Sequence, residues 1–195
     1  MKKLLVSLAS TTMMFGAANA ALVAQGATAV GDGAGIVLTS GGSSVASNNS
    51  LYDQSVTVPA SDWVWTDNGD QSTTYTFTFD LTGFDITTAE LTGLWGVDNT
   101  GTATLNGNGI ANLPNVTISN FSSLHAYSTD VDSDFIMGVN TLVFQLADAG
   151  GPEAFRATAI VNADRMADPV PVPAALPLFA AGIAGFAGLK HRKKK

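Results

Sequence analysis

The sequence has 195 residues, 46% of them hydrophobic, no cysteine and a formal net charge of −7. Without cysteine, disulfide bonds, thiolate zinc sites and cysteine nucleophiles are excluded. Residues 21–168 contain sixteen acidic and two basic side chains, a net charge of −14. This charge disfavours binding to nucleic acids. It favours either solubility outside the cell or the binding of divalent cations.

The first twenty residues have the pattern of a secretory signal peptide. Two lysines precede an apolar run over 4–15, and small residues follow at Ala18 and Ala20. A basic start, a short apolar run and a small-x-small site predict cleavage by signal peptidase before Ala21. The run is shorter than the about 20 apolar residues of a membrane span. The alternative is a buried N-terminal helix.

The next segment, residues 21–51, is rich in glycine, serine and alanine. It predicts an extended lead-in with one or two edge strands. The glycines of GDGAG at 31–35 suggest a dinucleotide-binding loop, which requires a preceding strand and a following helix. We reject that interpretation because the strand-like IVLTSGG follows instead.

Residues 52–167 predict an all-β fold, an antiparallel β-sandwich. The segment TTYTFTFDL at 73–81 alternates apolar and polar residues, the period of a strand with one buried face. Further strands are predicted at 102–107, 115–121, 139–147 and 155–161. Turn signals at 98–101, 106–109 and 150–152 separate them. No helical period interrupts this region before residue 174, as expected for a sandwich or barrel.

Two stretches within this region, 75–107 and 135–161, resemble the jelly-roll domains similar to galactose-binding modules. In those domains an aspartate-bearing hairpin leads to a "LNG" turn, and a later "GxNTLxF" strand closes the sandwich. The resemblance covers about residues 52–162 and implies a jelly-roll sandwich. The matching residues are Trp95, Asp98, Asn99, Leu105, Asn106, Gly107, Gly138, Asn140, Thr141, Leu142 and Phe144.

The C-terminal end predicts a membrane-inserted segment. Alternating prolines make 168–173 a stiff, extended linker. Sixteen uncharged residues follow at 174–189, about 24 Å as a helix, and predict a short transmembrane helix. The basic cluster at 190–195 predicts a cytoplasmic C-terminus and an external globular part.

This order of motif, apolar helix and basic end resembles the PEP-CTERM sorting signal, in the variant that reads Val-Pro-x-Pro-Ala. The name-giving pattern has glutamate where Val172 stands. The resemblance implies export from a Gram-negative bacterium, a transient inner-membrane stage and cleavage by an exosortase-type enzyme, which places the product at the cell surface or outside the cell. The alternative is an uncleaved membrane anchor. The matching residues are Val170, Pro171, Val172, Pro173, Ala174, Ala175 and Phe179.

The sequence predicts no catalytic residue. His125 is the one histidine of residues 21–168, and neither Ser122 nor Ser123 beside it has the surroundings of a nucleophile elbow. Carboxylates are plentiful, so their spacing leaves a two-acid hydrolase open. An enzyme is therefore disfavoured, and no cofactor is implied.

One acidic segment, TDVDSDF at 129–135, is a candidate calcium site. Asp130, Asp132 and Asp134 alternate as the first ligands of a calcium loop do, but an EF-hand needs glycine and glutamate where Phe135 and Thr141 stand. A looser structural calcium site and a solvated acidic turn are the two interpretations.

Two tryptophans suggest a sugar platform. On a strand, Trp63 and Trp65 would point to the same side. Their rings would then form a platform on which a sugar ring stacks. Asp62, Asp67 and Asn68 would form hydrogen bonds with the sugar hydroxyls. The alternative for both tryptophans is core packing, which is also the prediction for Trp95.

Together these patterns predict an exported surface or matrix protein that is processed at its C-terminal signal. Its sandwich is predicted to bind carbohydrate or exopolysaccharide. The alternative is a structural or adhesive surface protein with no small-molecule ligand. Fold alone decides neither.

Overall fold

The computed structural model describes residues 20–114 and 117–167. The predicted signal peptide up to residue 19, the sorting motif at 170–174, the apolar segment at 174–189 and the basic tail lie outside the described residues. Within the described residues, no helix is long and apolar enough to cross a membrane.

The described chain forms eleven strands with little helix. A four-residue helix, α1 (Ser119–Ser122), and two 3-10 turns, Val30–Asp32 and Asp132–Asp134, complete the regular structure. The strands are β1 (Ala21–Thr28), β2 (Gly35–Leu38), β3 (Ser44–Ala46), β4 (Val64–Thr66), β5 (Ser72–Asp80), β6 (Phe84–Asp98), β7 (Thr100–Leu105), β8 (Asn108–Leu113), β9 (His125–Thr129), β10 (Val139–Ala147) and β11 (Ala154–Arg165).

The strands form two sheets that enclose one main core. In the first sheet, β11 pairs with β6 along one edge and with β1 and β4 along the other. β9 extends this sheet beyond β6, and β3 extends it beyond β4. The second sheet has the order β2-β5-β10-β7-β8. A short parallel pairing of β1 with β2 joins the two sheets, and all other pairs are antiparallel. The predicted antiparallel β-sandwich is confirmed.

The strongest sequence pattern gives the centre of the second sheet. β5 buries Tyr75, Phe77 and Phe79 and turns Thr74, Thr76 and Thr78 outward. Its neighbour β10 occupies 139–147, as predicted, and pairs with it in register. Strands with one face in a core have this alternation because successive side chains point to opposite faces.

Residues 21–51 are more than the predicted lead-in with one or two edge strands, because they supply three strands of the sandwich, β1, β2 and β3. β1 pairs with β11 from Ala21↔Ala163 to Ala27↔Thr158. Small residues allow β1 to approach the second sheet closely, because a Cβ at Gly26 would lie only 2.7 Å from the ring of Phe77. The sandwich therefore extends from residue 21 to residue 165.

The predicted strand at 115–121 is also wrong, because the helix α1 begins at Ser119. The Asn120 amide donates to the carbonyl oxygens of Asn99 (2.7 Å) and Pro114 (2.9 Å) and holds this turn. Ile118 is exposed, so the apolar alternation did not mark a buried face. The strands of this region are β8 and β9. The predicted turn at 106–109 is confirmed, with positive φ at Asn106 and Gly107.

Candidate functional site

An open polar cleft of about 280 Å³ lies beside β11, where the loop 47–63 crosses the first sheet. Exposed amide and carboxylate side chains line its wall, and a buried arginine and one tryptophan edge line its base. Its lining includes Asn48, Gln54, Ser61, Asp62, Trp63 and Arg156.

Arg156 of β11 fastens the loop to the sheet. Its side chain is 7% exposed. Its Nε donates to the Ser61 hydroxyl (2.9 Å), Nη1 to the Asp53 carbonyl oxygen (3.0 Å) and Nη2 to the Ser55 carbonyl oxygen (2.8 Å). Burial lowers the pKa of the guanidinium, while the carboxylates of Asp53 and Asp62 oppose that shift. The arginine therefore shapes the cleft by holding its loop in place.

The Asp53 carboxylate accompanies this charge. One of its oxygens lies 3.9 Å from Nη1 of Arg156. The same oxygen accepts a hydrogen bond from the Ser55 amide (2.7 Å) and another from the Ser55 hydroxyl. Burial alone would raise the pKa of Asp53, but these hydrogen bonds and the positive charge of Arg156 outweigh it and lower that pKa. The carboxylate is ionised at neutral pH, so the loop carries its own counter-charge.

Three exposed side chains supply the hydrogen-bonding groups of the cleft. Asn48, Gln54 and Asp62 are exposed and line the cleft. The Gln54 Nε2 donates to the Tyr52 carbonyl oxygen (2.9 Å), which orients its amide. Amides offer donors and acceptors, and a carboxylate offers four lone-pair positions. This set matches a ligand rich in hydroxyl groups.

The structure contradicts the predicted platform of Trp63 and Trp65, since both side chains are buried, at 7% and 2% exposure. Trp63 stacks on Tyr52 with ring centroids 4.8 Å apart, and its Nε1 donates to the Asp53 carbonyl oxygen. Trp65 donates to the Asp70 carbonyl oxygen and packs in the main core. β4 is covered on both faces, so no exposed face exists there. Trp63 contributes only an edge to the cleft.

The predicted ligand contacts Asp67 and Asn68 lie in the turn after β4, and they do not line the cleft. An Asp67 oxygen accepts from the Ser43 amide (2.7 Å). The Asn68 side-chain oxygen accepts from the Thr66 hydroxyl (2.8 Å) and the Asp70 amide (3.2 Å). These oxygens close the turn.

The candidate calcium ligands lie on an acidic turn before β10. Asp130 and Asp132 are exposed, and Asp134 accepts a 2.5 Å hydrogen bond from the Thr129 hydroxyl. Across residues 20–114 and 117–167, no group of three or more His, Asp or Glu side chains is placed to hold a metal ion.

His125 is the first residue of β9 and is not among the residues that line the cleft. Its Nε2 lies 2.8 Å from the Ser119 carbonyl oxygen. A carbonyl oxygen only accepts, so this nitrogen is the donor. The ring therefore links the start of β9 to α1. Ser122 ends that helix and Ser123 follows it.

The residues that carry the jelly-roll resemblance fix turns and corners. Asp98 is 4% exposed and accepts from the Tyr52 hydroxyl (3.3 Å). Burial raises the pKa of Asp98, the Tyr52 hydrogen bond opposes this, and the charge of Asp148 adds to it. Asn99 accepts from the Ala149 amide (2.7 Å). Asn99 therefore ties the corner between β6 and β7 to the loop after β10, and Asp98 ties it to the loop 47–63.

A second pair of resemblance residues holds the other end of β10. Asn140 is fully buried and donates to the carbonyl oxygens of Ile136 and Gly138, both at 2.8 Å. The Asn106 amide donates to the Asn140 side-chain oxygen (2.8 Å). The matching asparagines therefore serve the fold.

Sequence reasoning missed most of the cleft. Asn48, Gln54 and Ser61 come from a loop without periodicity, and Arg156 comes from a strand about a hundred residues later. One signal pointed to the arginine. It is one of two basic residues between 21 and 168, and it stands within an apolar strand, where a charge must find partners.

No protein family model and no curated protein matches the sequence. Among solved structures, the chain is similar to CBM35 from Cellvibrio japonicus Abf62, with 16% identity, coverage of 76% of this chain and 100% of that chain, and a TM-score of 0.40. A family 35 carbohydrate binding module from an environmental isolate has 12% identity, 69% and 98% coverage and a TM-score of 0.37. Xyl-CBM35 in complex with a glucuronic acid containing disaccharide has 15% identity, 68% and 99% coverage and a TM-score of 0.37.

Proposed function

We propose that the β-sandwich binds carbohydrate in the cleft beside Arg156. The observation that carries this proposal is the convergence of Asn48, Gln54 and Asp62 on one open cleft with a tryptophan edge at its base. Binding sites of this kind place a few polar groups precisely and add an apolar surface.

The cleft chemistry suits hydroxyl groups in particular. The Asp62 carboxylate accepts hydrogen bonds from sugar hydroxyls, and the two amides both donate and accept. Trp63, which is 7% exposed, also lines the cleft and adds an apolar contact for ring C–H groups. The net charge of −14 over residues 21–168 disfavours polyanions, so the cleft selects neutral glycans.

Asp62→Ala is expected to weaken glycan binding at least about ten-fold, equivalent to about 1.4 kcal/mol. The reason is that the substitution removes the one carboxylate of the cleft lining. A glycan array with the purified chain identifies the ligand, and titration calorimetry measures its affinity. Asp130→Ala is the matched control, because Asp130 is also exposed but lies outside the cleft. Equal affinities of the two variants, or no glycan bound by the wild type, would contradict the proposal.

We further propose that the chain is exported and processed at both ends, by signal peptidase and by an exosortase-type enzyme. The limits of the sandwich support this. β1 begins at Ala21, directly after the predicted cleavage site, and β11 ends at Arg165, before the proline-rich segment. The product would reach the cell surface or the extracellular matrix and meet exopolysaccharide there.

Intact mass spectrometry of the protein from its own cells tests this processing. The expected species begins at Ala21 and ends before or near Ala174. A species that extends from Met1 to Lys195 contradicts export and cleavage together. One that begins at Ala21 and ends at Lys195 indicates the uncleaved anchor instead.

A further inference from the structure

The outer face of the second sheet carries a groove separate from the cleft. Two depressions, of about 430 and 550 Å³, lie on it and share Thr102. One extends from the end of β5 across β10 to β7, and the other continues from β7 to β8. Strands lie about 4.8 Å apart, so four of them give a path of about 14 Å.

The strand register aligns the side chains of this groove in rows. One row joins Thr74, Gln145, Thr102 and Asn112 across the four strands. The row beside it joins Ser72, Ala147 and Thr100. Paired residues on one face of neighbouring strands stand side by side, so hydroxyls and amides form a continuous array. Small residues, Ala147 and Gly101 among them, make the floor low.

The groove is free of charge on an acidic domain. None of the residues that line the two depressions is ionisable, whereas residues 21–168 carry sixteen carboxylates. An anionic polymer would be repelled by that surrounding charge, and a cationic one would bind the carboxylates instead. The charge pattern therefore selects a neutral ligand.

The residues that line the groove also favour a glycan over a protein as its ligand. Protein interfaces are enriched in Tyr, Trp, Met and Arg at their centres, and none of these lines the groove. Threonine offers a hydroxyl that donates and accepts beside a methyl group, which matches the alternating hydroxyls and C–H groups of a sugar chain. The length of the groove suits a chain of several sugar rings.

We infer that this groove, the array of Thr74, Gln145, Thr102 and Asn112, binds an extended neutral polysaccharide chain that lies across the strands. It shares no residue with the cleft beside Arg156, so the inference goes beyond the proposed function and does not rest on it.

Thr102→Glu tests the inference, because it places a charge at the junction of the two depressions. Native electrophoresis of the full chain in non-ionic detergent measures retardation by dextran, a mixed-linkage β-glucan or a galactomannan, with alginate as the anionic comparison. The wild type is expected to be retarded by at least one neutral polymer and not by alginate. Thr102→Glu is expected to lose at least about ten-fold in affinity for that polymer.

Ser128→Glu is the matched control, since it adds the same charge to an exposed position of β9 in the other sheet. It is expected to keep wild-type retardation. Circular dichroism and the thermal midpoint verify that each variant is folded, and Asn112→Ala replaces Thr102→Glu if the latter unfolds. The inference is overturned if the groove variant is retarded like the wild type, if Ser128→Glu loses as much, or if no neutral polymer retards the wild type. If Asp62→Ala loses retardation and Thr102→Glu does not, the polysaccharide binds in the cleft and the inference is overturned.

Discussion

Arg156→Met is expected to lower the free energy of unfolding by about 3–5 kcal/mol, the cost of removing one partner from a buried charge pair. Methionine keeps much of the volume but donates no hydrogen bond. The carbonyl oxygen of Ser55 would lose its guanidinium donor, and that of Asp53 would keep only the Trp63 indole as a donor. Each hydrogen bond to a charged group contributes about 1.5–3 kcal/mol. Urea-induced unfolding at neutral pH measures the change.

Arg165→Met is the control for this prediction. Arg165 is exposed and its guanidinium lies 4.9 Å from the centroid of the Phe84 ring, an exposed contact worth about 0.5–1 kcal/mol. If both substitutions destabilise the protein equally, Arg156 does not fasten the loop.

The pH dependence of stability provides a second measurement of the same pair. The pKa of Asp53 is lowered in the folded protein, so its ionisation contributes stability above its unfolded pKa of about 3.9. That contribution is lost as the pH falls through the folded pKa. The loss should be smaller in Arg156→Met, because part of the shift comes from the guanidinium.

The fold was predictable where one face of a strand is buried and the other is exposed to solvent. β5 and β10 alternate strictly and were located within about one residue. β1 escaped prediction because its contacts are made by small residues, such as Gly26 beneath the ring of Phe77. Close approach of a backbone to an aromatic ring requires a missing side chain, and it leaves no hydrophobic period in the sequence.

The site was less predictable than the fold. Two tryptophans at i and i+2 share one side of a strand, but the sequence does not say whether another layer covers that side. Here the partners are Tyr52, which stacks on Trp63, and the main core around Trp65. The cleft itself depends on the path of a loop over β11, which a single arginine determines through contacts about a hundred residues apart in the chain.

The two sheets meet through a group of aromatic rings centred on Phe144. Phe144 is fully buried in β10, with ring centroids 5.0 Å from Phe155, 5.7 Å from Trp95 and 5.8 Å from Tyr127. Those three partners belong to the first sheet. Removing the central ring therefore leaves a cavity lined by both sheets, because close-packed cores relax only partially.

Phe144→Ala is expected to reduce the free energy of unfolding by about 3–5 kcal/mol, measured by urea titration. A double-mutant cycle with Phe155→Ala should give a coupling energy of about 0.5–1.5 kcal/mol, the range for contacting aromatic pairs. Phe121→Ala is the control, since that ring is half-buried and packs against the smaller cluster of Tyr52 and Trp63. Phe121→Ala should lower the free energy of unfolding by clearly less than Phe144→Ala does. Equal losses, or additive effects of Phe144 and Phe155, would mean that the two sheets are held together elsewhere.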